Sequence, residues 1–257
     1  MTYLVDDLGE PVPLEGPASR VVSLVPSLTE AVEVSAPGRL AGATDYCTHP
    51  SALDVPRVGG SKYPKLDRVL DLAPDLVLAN SEENRQEDVE RLRANGIPVW
   101  VMAAAASVPA ALGSLRRILT QAYELDEPEW LVSAEEAWRE VRPVRFHAVV
   151  PVWRKPWIVL GRDTFAGDVL RRVGVANVYA ASGERYPRPD VEELRAHLST
   201  DADLLVLPDE PYEFTGEDGP DHFPEAPYVL VSGRHLTWYG PSLVEAHAAL
   251  LEALPKP

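Results

Sequence analysis

Residues 20–25 form an apolar, β-branched run that stops at Pro26, and Ser27-Leu28-Thr29-Glu30 follows at once. A run that short and that apolar suits a strand buried on both faces. Ser27 and Glu30 have the spacing of a capping box, in which the hydroxyl accepts from the Glu30 amide while the carboxylate reaches back. Strand, tight turn and helix start thus fall within ten residues or so, and the unit recurs. Strands are expected at residues 40–44, 76–79 and 97–102. Helices are expected at 65–72, ended before Pro74, and at 85–95, with Gly96 just past the end. Strands alternating with helices make a parallel sheet wrapped by helices.

At Ser107 the rhythm changes. Val108, Ala111, Leu112, Leu115, Ile118, Leu119, Ala122 and Leu125 keep helical spacing over residues 107–125, and a second helix is expected at 129–141. Alternation then resumes, with strands at 146–152, 157–160, 204–207 and 229–231. Helices are expected at 164–173, 191–197 and 242–254, the last opened by a second capping box at Ser242 and Glu245. A short hairpin is expected at 6–12 from the turn chemistry of Gly9 and Pro11. The fold class is therefore α/β: two parallel-sheet lobes joined by a long bridging helix, with a ligand cleft between the lobes. The expected boundaries are an N-terminal lobe at 1–106, the bridging and following helices at 107–142, and a C-terminal lobe at 143–257. The length of 257 residues accommodates two lobes of about 120 residues each.

Composition narrows the function. Formal charge is −16, from 24 Lys and Arg against 40 Asp and Glu, so the surface repels nucleic acid and anionic membrane. No apolar run reaches the about 18 residues a membrane span needs, so no membrane insertion is expected. A single cysteine, Cys47, rules out a disulfide within the monomer, the expected state. The opening Met1-Thr2-Tyr3-Leu4-Val5-Asp6-Asp7 has no basic segment and no apolar segment of a secretory signal. As written it sets a cytoplasmic location as the expectation; the alternative is a periplasmic or extracellular protein whose leader was removed.

Ligands of open parallel sheets meet the loops at the carboxyl ends of the strands. Those loops collect aromatics: Tyr46, Tyr63, Trp153, Trp157, Phe165, Tyr186, Tyr212, Trp238 and Tyr239. Aromatic walls with a few polar groups suit a large, flat, partly apolar ligand. Trp153, Trp157 and Trp238 are expected to line one side, faced by Tyr46 from the first lobe, whereas Trp100, Trp130 and Trp138 fall inside elements and are read as core. Arg154, Arg162 and Arg185 lie in the same loops and suit carboxylate, phosphate or amide oxygens. Aromatic loops without a dense arginine cluster fit a corrin ring bearing neutral amides better than a highly anionic siderophore, with heme intermediate.

Cys47 and His49 allow two readings: contact with a metal already held by a chelate, His49 serving as axial ligand, or a buried thiol beside a backbone-bonded histidine. Two ligands are too few for a structural zinc site. In Asn80-Ser81-Glu82-Glu83-Asn84, Glu83 is read as an anion favouring a helix N-terminus, and Glu82 is left open between that and ligand binding. Nucleophile-elbow, phosphate-loop, dinucleotide and zinc-protease motifs do not occur in the sequence. A catalytic residue is not expected. The reading of another class is an enzyme using the cleft with Cys47 and His49.

Asp6-Asp7-Leu8-Gly9, residues 20–30 and residues 66–78 together resemble the cobalamin- and iron-siderophore-binding proteins of ABC importers, the helical-backbone metal receptors, and the cobalamin-binding members most of all. The second half repeats the pattern more loosely at Val191-Glu192-Glu193-Leu194 and Asp203-Leu204-Leu205-Val206. The resemblance covers nearly the whole chain. It implies a non-catalytic binding protein for a bulky metal-chelate, cobalamin first, an iron-siderophore or heme as alternatives, with no covalent cofactor. It implies capture in the cleft, where the loop reading makes Ser27, Tyr46, Cys47, Trp153, Arg154, Trp157, Arg162, Phe165, Arg185, Tyr186, Trp238 and Tyr239 the ligand-binding residues. It also implies delivery to an ABC-importer permease, or an intracellular carrier role, with Asp67 and Glu192 matching the acidic residues that dock onto the permease.

Overall fold

Two four-stranded sheets, each all parallel, organise the computed structural model, which describes residues 4–200 and 203–256. The chain divides into two compact units. The first comprises the residues up to Ala104, Leu112–Val132 and Tyr239–Pro241; the second comprises Ala105–Ala111, Ser133–Trp238 and the residues from Ser242.

In the first unit the sheet runs β4 (Leu40–Ala43), β3 (Val21–Ser23), β5 (Leu76–Asn80), β6 (Val99–Met102). All five residues of β5 are buried, as an inner strand covered on both faces requires. Helices α2 (Leu66–Asp71) and α3 (Gln86–Ala94) lay Leu66, Val69, Val89 and Leu92 on Val22, Val77, Ala79, Val99 and Val101. Each such side chain contributes about 1.5–3 kcal/mol of burial. The expected hairpin pairs β1 (Leu4–Val5) with β2 (Pro11–Val12), antiparallel. The buried Asp6 carboxylate accepts from the Leu8, Glu10 and Val101 amides and from Arg93, fastening the hairpin to β6 and α3.

The second sheet runs β10 (Val175–Asn177), β7 (Phe146–Val149), β11 (Leu204–Pro208), β12 (Tyr228–Val231). Its core joins Val149, Leu205 and Leu207 to Tyr179, Leu194, Phe214 and Phe223. The single strand expected at 146–152 is instead two. β7 stays in the sheet, while β8 (Pro151–Trp153) leaves to pair antiparallel with β9 (Ile158–Val159). Pro151 has no N–H to offer an inner ladder. Strand β10 was not expected; three residues after Gly174 carry no periodicity to read.

Two capping boxes were expected and neither forms. Helix α1 (Pro26–Ser35) takes Val25 as N-cap and Pro26 as its first residue, the place where a missing N–H costs nothing, so Ser27 lies inside the helix and buried. Ser242 does precede α8 (Leu243–Ala253), but its side chain makes no cap bond, and Glu245 pairs with Arg234 and His235.

The long helix expected at 107–125 is α4 (Val108–Arg117) running into a π-helical turn over Ile118–Ala122. There the Thr120 hydroxyl donates to the Arg116 carbonyl at 2.7 Å, competing with the backbone ladder, and Glu124 turns the chain out at φ 53°. The following helix α5 is shorter than expected, Glu129–Ala137. Trp100 and Trp138 are core, as expected. Trp130 is only half-buried, its indole N–H donating to Ser35 at 2.9 Å.

The start of α4 is pinned by Asp168 on α6 (Phe165–Arg172). Its carboxylate accepts from the Val108 amide and from Arg172, 2.9 and 2.8 Å, and from Arg171 at 2.6 Å. Burial alone would raise this carboxyl; the bonds from Arg172, Val108 and Arg171 outweigh it and hold the group below its ordinary value of 3.8. Its stabilisation is therefore present above that value and is lost as pH falls through the folded one. Asp168→Ala leaves the buried Arg172 guanidinium unpaired and should cost about 3 kcal/mol. Thermal unfolding at neutral pH should show the variant melting about 6–12 °C below the parent, with the gap closing toward pH 3.

Candidate functional site

The carboxyl ends of the first sheet carry a polar cluster anchored on Asn80, the last residue of β5. Its Oδ1 accepts from the Glu82 and Glu83 amides, 2.7 and 3.4 Å, and its own N–H donates to Asn84 Oδ1 at 2.8 Å. Asn84 in turn donates to the Ser61 carbonyl at 2.8 Å, joining this loop to the 59–64 loop. Asn80 Nδ2 donates to the Tyr239 hydroxyl at 2.8 Å, and that hydroxyl donates to Glu83 at 3.3 Å. The segment bearing Tyr239 lies tight on α1, because a Cβ on Gly240 would stand 3.3 Å from the Ser27 carbonyl. Burial pushes the Glu83 carboxyl up to about 7; the Tyr239 bond opposes this, the Glu82 charge adds to it and Lys62 opposes it. Burial also drives the Tyr239 phenol well above its ordinary value, reinforced by the Glu83 charge and opposed by the Ser27 hydroxyl. The helix-terminus reading of Glu83 is corrected: α3 begins only at Gln86.

Beside this cluster, the loop after β4 presents Tyr46, 65% exposed, lying over Gly60, where an added Cβ would stand 3.3 Å from its ring. Tyr63, equally open, takes the Arg85 guanidinium over its face at 4.8 Å. Cys47 is the reverse case. Its thiol is fully buried between the Thr29 and Thr44 hydroxyls, 3.0 and 3.1 Å, and burial pushes it up despite those bonds. A thiol so placed neither touches a ligand nor acts as a nucleophile, so its expected ligand contact is corrected. His49 is half-buried, its ring nitrogen 3.1 Å from the Thr48 hydroxyl. Ser27 is likewise buried rather than open to a ligand.

The carboxyl ends of the second sheet carry an aromatic cluster instead. Trp157, on the β8–β9 turn, stacks on Phe214 with centroids 6.1 Å apart, meets His222 edge-on and packs at a tilt on Phe223. Arg154 lies over the Trp157 ring at 5.8 Å and is ion-paired with Asp218 and, at 3.1 Å, with Asp221. Trp153 is 42% exposed and meets Tyr212 edge-on at 5.6 Å. The expected wall of three tryptophans is corrected on one point. Trp238 is only 6% exposed, with its indole N–H on Glu210 at 3.0 Å, so it is packed scaffold; Trp157 is half-buried and Trp153 is the open ring. Phe165 begins α6 and is buried, as is Tyr239; Tyr186 is half-buried. Arg162 is exposed, 3.7 Å from Asp163, and Arg185 donates to the Asp163 carbonyl. Gly161 is required where this loop folds back, since a Cβ there would overlap the Glu184 carbonyl.

Asp67 and Glu192 stand apart from both clusters, exposed in the first turns of α2 and of α7 (Val191–Thr200), where they pair with Arg91 and Arg195 at 3.4 and 2.7 Å. Among the described residues, no three His, Cys, Asp or Glu side chains gather as a metal centre would require.

No family model matches the chain. In sequence it is similar to a Vitamin B12-binding protein of Vibrio campbellii, 26% identical over 194 residues, covering 70% of this chain and 68% of the relative. A Vitamin B12-binding protein of Yersinia pseudotuberculosis is 27% identical over 190 residues, covering 69% and 65%. In fold it is similar to the periplasmic Vitamin B12-binding protein of Vibrio cholerae, with a TM-score of 0.71, 18% identity, and 92% and 96% of the two chains covered. It is similar also to a periplasmic heme-binding protein of Pseudomonas aeruginosa, with a TM-score of 0.75, 22% identity, and 92% of each chain covered. The expected cytoplasmic location is corrected: the two solved proteins of similar fold, from Vibrio cholerae and Pseudomonas aeruginosa, are periplasmic. They are named for what they bind and not for a reaction. Relatives and fold together bear out the resemblance read from the sequence, to the cobalamin- and iron-siderophore-binding proteins of ABC importers.

Proposed function

We propose that the chain captures a bulky metal-chelate, a corrinoid in preference to heme or a ferric siderophore, on the loops at the carboxyl ends of its parallel sheets, and passes it to an ABC-importer permease. Tyr46 and Tyr63 stand exposed on the loops of the first unit, and Trp153 on those of the second. Tyr212 meets Trp153 edge-on and packs in turn on Phe214. Asp67 and Glu192 are the acidic positions that would meet a permease, their side chains standing largely in solvent.

The observation that carries the choice of ligand is the state of Arg154. It is the guanidinium set among the aromatic rings, and two carboxylates, Asp218 and Asp221, already face it. An anionic chelate would have to displace them, whereas a corrin ring decorated with neutral amides would not. Sequence relatives named for vitamin B12 support the same choice.

A thermal-shift series with cyanocobalamin, cobinamide, heme and ferric siderophores tests it. A corrinoid at about a hundred times its Kd should stabilise by about 2.7 kcal/mol, a rise of about 5–10 °C. A rise with heme or a ferric chelate alone, both corrinoids leaving the melt unmoved, would overturn the choice. Two tryptophan variants separate wall from scaffold. Trp153→Ala should melt with the parent yet bind a corrinoid about thirtyfold more weakly, a loss of about 2 kcal/mol. Trp238→Ala should lose about 3–5 kcal/mol of folding stability, read as an earlier melt of the empty protein.

A further inference from the structure

Helix α2 carries Asp67, yet the surface around that residue is not acidic. A groove of about 440 Å³ opens between α2 and α3, and its charged lining is Lys65, Asp67, Arg68, Arg85, Asp88 and Arg91. Two of these cations are neutralised in place. Arg85 donates to both oxygens of Asp88 at 2.9 Å and meets Glu87 at 2.5 Å, and Arg91 reaches Asp67 at 3.4 Å. Lys65 and Arg68 are exposed, and among the described residues no carboxylate pairs with either; Arg68 donates instead to the Arg57 carbonyl at 3.1 Å. A second groove, of about 400 Å³, shares Arg68 and adds Arg57 and Asp71 over the apolar side chains of Pro56, Val58 and Leu72. Arg57 also spends its guanidinium on carbonyls, those of Thr44 and Cys47 at 2.9 Å and of Leu53 at 3.3 Å. A carbonyl accepts a proton donor but brings no formal charge. Three cations thus keep their full charge beside α2, against one unpaired carboxylate in the two grooves, Asp71. In a chain with 40 acidic and 24 basic residues, this local excess is the inverse of the surface as a whole.

We propose that the two grooves beside α2 receive an acidic segment of a partner protein, its carboxylates meeting Lys65, Arg68 and Arg57. Where α2 faces a permease, which rests on the delivery reading above, the permease loop that meets it carries carboxylates as well as any cation for Asp67; the charge pattern itself does not depend on that reading. The grooves are concave and mixed in sign, with Asp67 and Asp71 standing among the cations. A lipid surface of one sign would meet those two carboxylates along with the cations, whereas a protein segment can set the opposite charge against each. A second copy of this chain would bring a further charge of −16 and repel the first. The same acidic excess opposes an acidic segment at a distance, so the attraction acts at contact, within a Debye length of about 8–10 Å.

Titration of the isotope-labelled full chain decides it, with acetylated tetraglutamate as the probe and acetylated tetralysine as its control. Tetraglutamate should shift the amide resonances of residues 56–58 and 65–72 saturably, and tetralysine should leave them in place. Shifts spread equally over Arg142 and Arg145, which are exposed elsewhere on the chain, would overturn the proposal. The double variant Lys65→Glu with Arg68→Glu should bind tetraglutamate at least about tenfold more weakly than the parent; an unchanged titration overturns the assignment. Should the double variant fail to fold, Lys65→Glu alone carries the test, with an expected loss of about threefold. Vesicles of phosphatidylcholine and phosphatidylglycerol should leave the chain in solution, and co-sedimentation that the double variant loses would give the surface to a membrane and overturn the protein partner. A permease that associates with the parent should release the double variant and regain it when an acidic residue of its own loop is exchanged for Lys. Failure of the parent to associate with any permease would sink the delivery reading, and the peptide titration would still decide the surface.

Discussion

An inner strand of a parallel sheet is covered on both faces, so it tolerates polar side chains only where the strand runs out. Both units are arranged by that constraint. β5 is Leu-Val-Leu-Ala-Asn, buried throughout, and Asn80 is its only polar residue and its last. β11 is Leu-Leu-Val-Leu-Pro, equally buried, and charge returns only at Asp209 and Glu210. Polar and aromatic groups therefore accumulate at the carboxyl ends of the strands because hydrophobic burial leaves them no earlier place. Asn80 makes the most of its position. One side chain accepts from two amides and donates to a phenol, so the loop after β5 and the residue Tyr239, distant in sequence, are fixed by the same amide group.

The two units solve the problem of a rigid loop cluster differently. In the first, short hydrogen bonds carry the order: Asn80, Asn84, Tyr239 and Glu83 are linked in a chain, and the open rings of Tyr46 and Tyr63 stand at its margin. In the second, ring packing carries it. Trp157, Phe214, His222 and Phe223 meet at 5.4–6.1 Å, and Arg154 with its two aspartates clamps the turn above them.

The alternation of apolar runs with helical periodicity made both sheets legible, down to the inner strands β3, β5, β7 and β11. What was not legible were features set by partners distant in sequence. Ser27 has the spacing of a cap, but whether it caps depends on Pro26 fitting the first helical position, which moves the helix start two residues earlier and buries the hydroxyl. Cys47 sits in a loop whose composition gives no hint that Thr29, eighteen residues earlier, closes over its sulfur. Trp238 and Trp153 look alike in sequence, each at a strand-end loop; only the Glu210 carboxylate under one indole and the open side of the other tell scaffold from surface. Tyr63 was legible as a loop aromatic but not as a partner of Arg85, and Glu83 was legible as an anion but not as an acceptor from the Tyr239 hydroxyl. The π-helical turn after α4 rests on one threonine hydroxyl, a signal too local for periodicity to carry.

Charge completes the account of what kind of ligand such loops can hold. Carboxylates exceed Lys and Arg by 16, yet the acidic side chains are not all spread over solvated faces. Asp6 holds Arg93, Asp7 holds Arg117, Asp168 holds Arg172, and Asp218 and Asp221 hold Arg154. Each of these guanidiniums is at least partly buried, where an unpaired charge would be costly, so the acidic excess first satisfies the interior and only then sets the field outside. That outer field opposes an approaching anion over about a Debye length, roughly 8–10 Å at physiological salt. An anionic chelate thus meets repulsion on approach and, on arrival, an arginine already held by two carboxylates. On the reading proposed above, a neutral, amide-bearing ring meets neither obstacle.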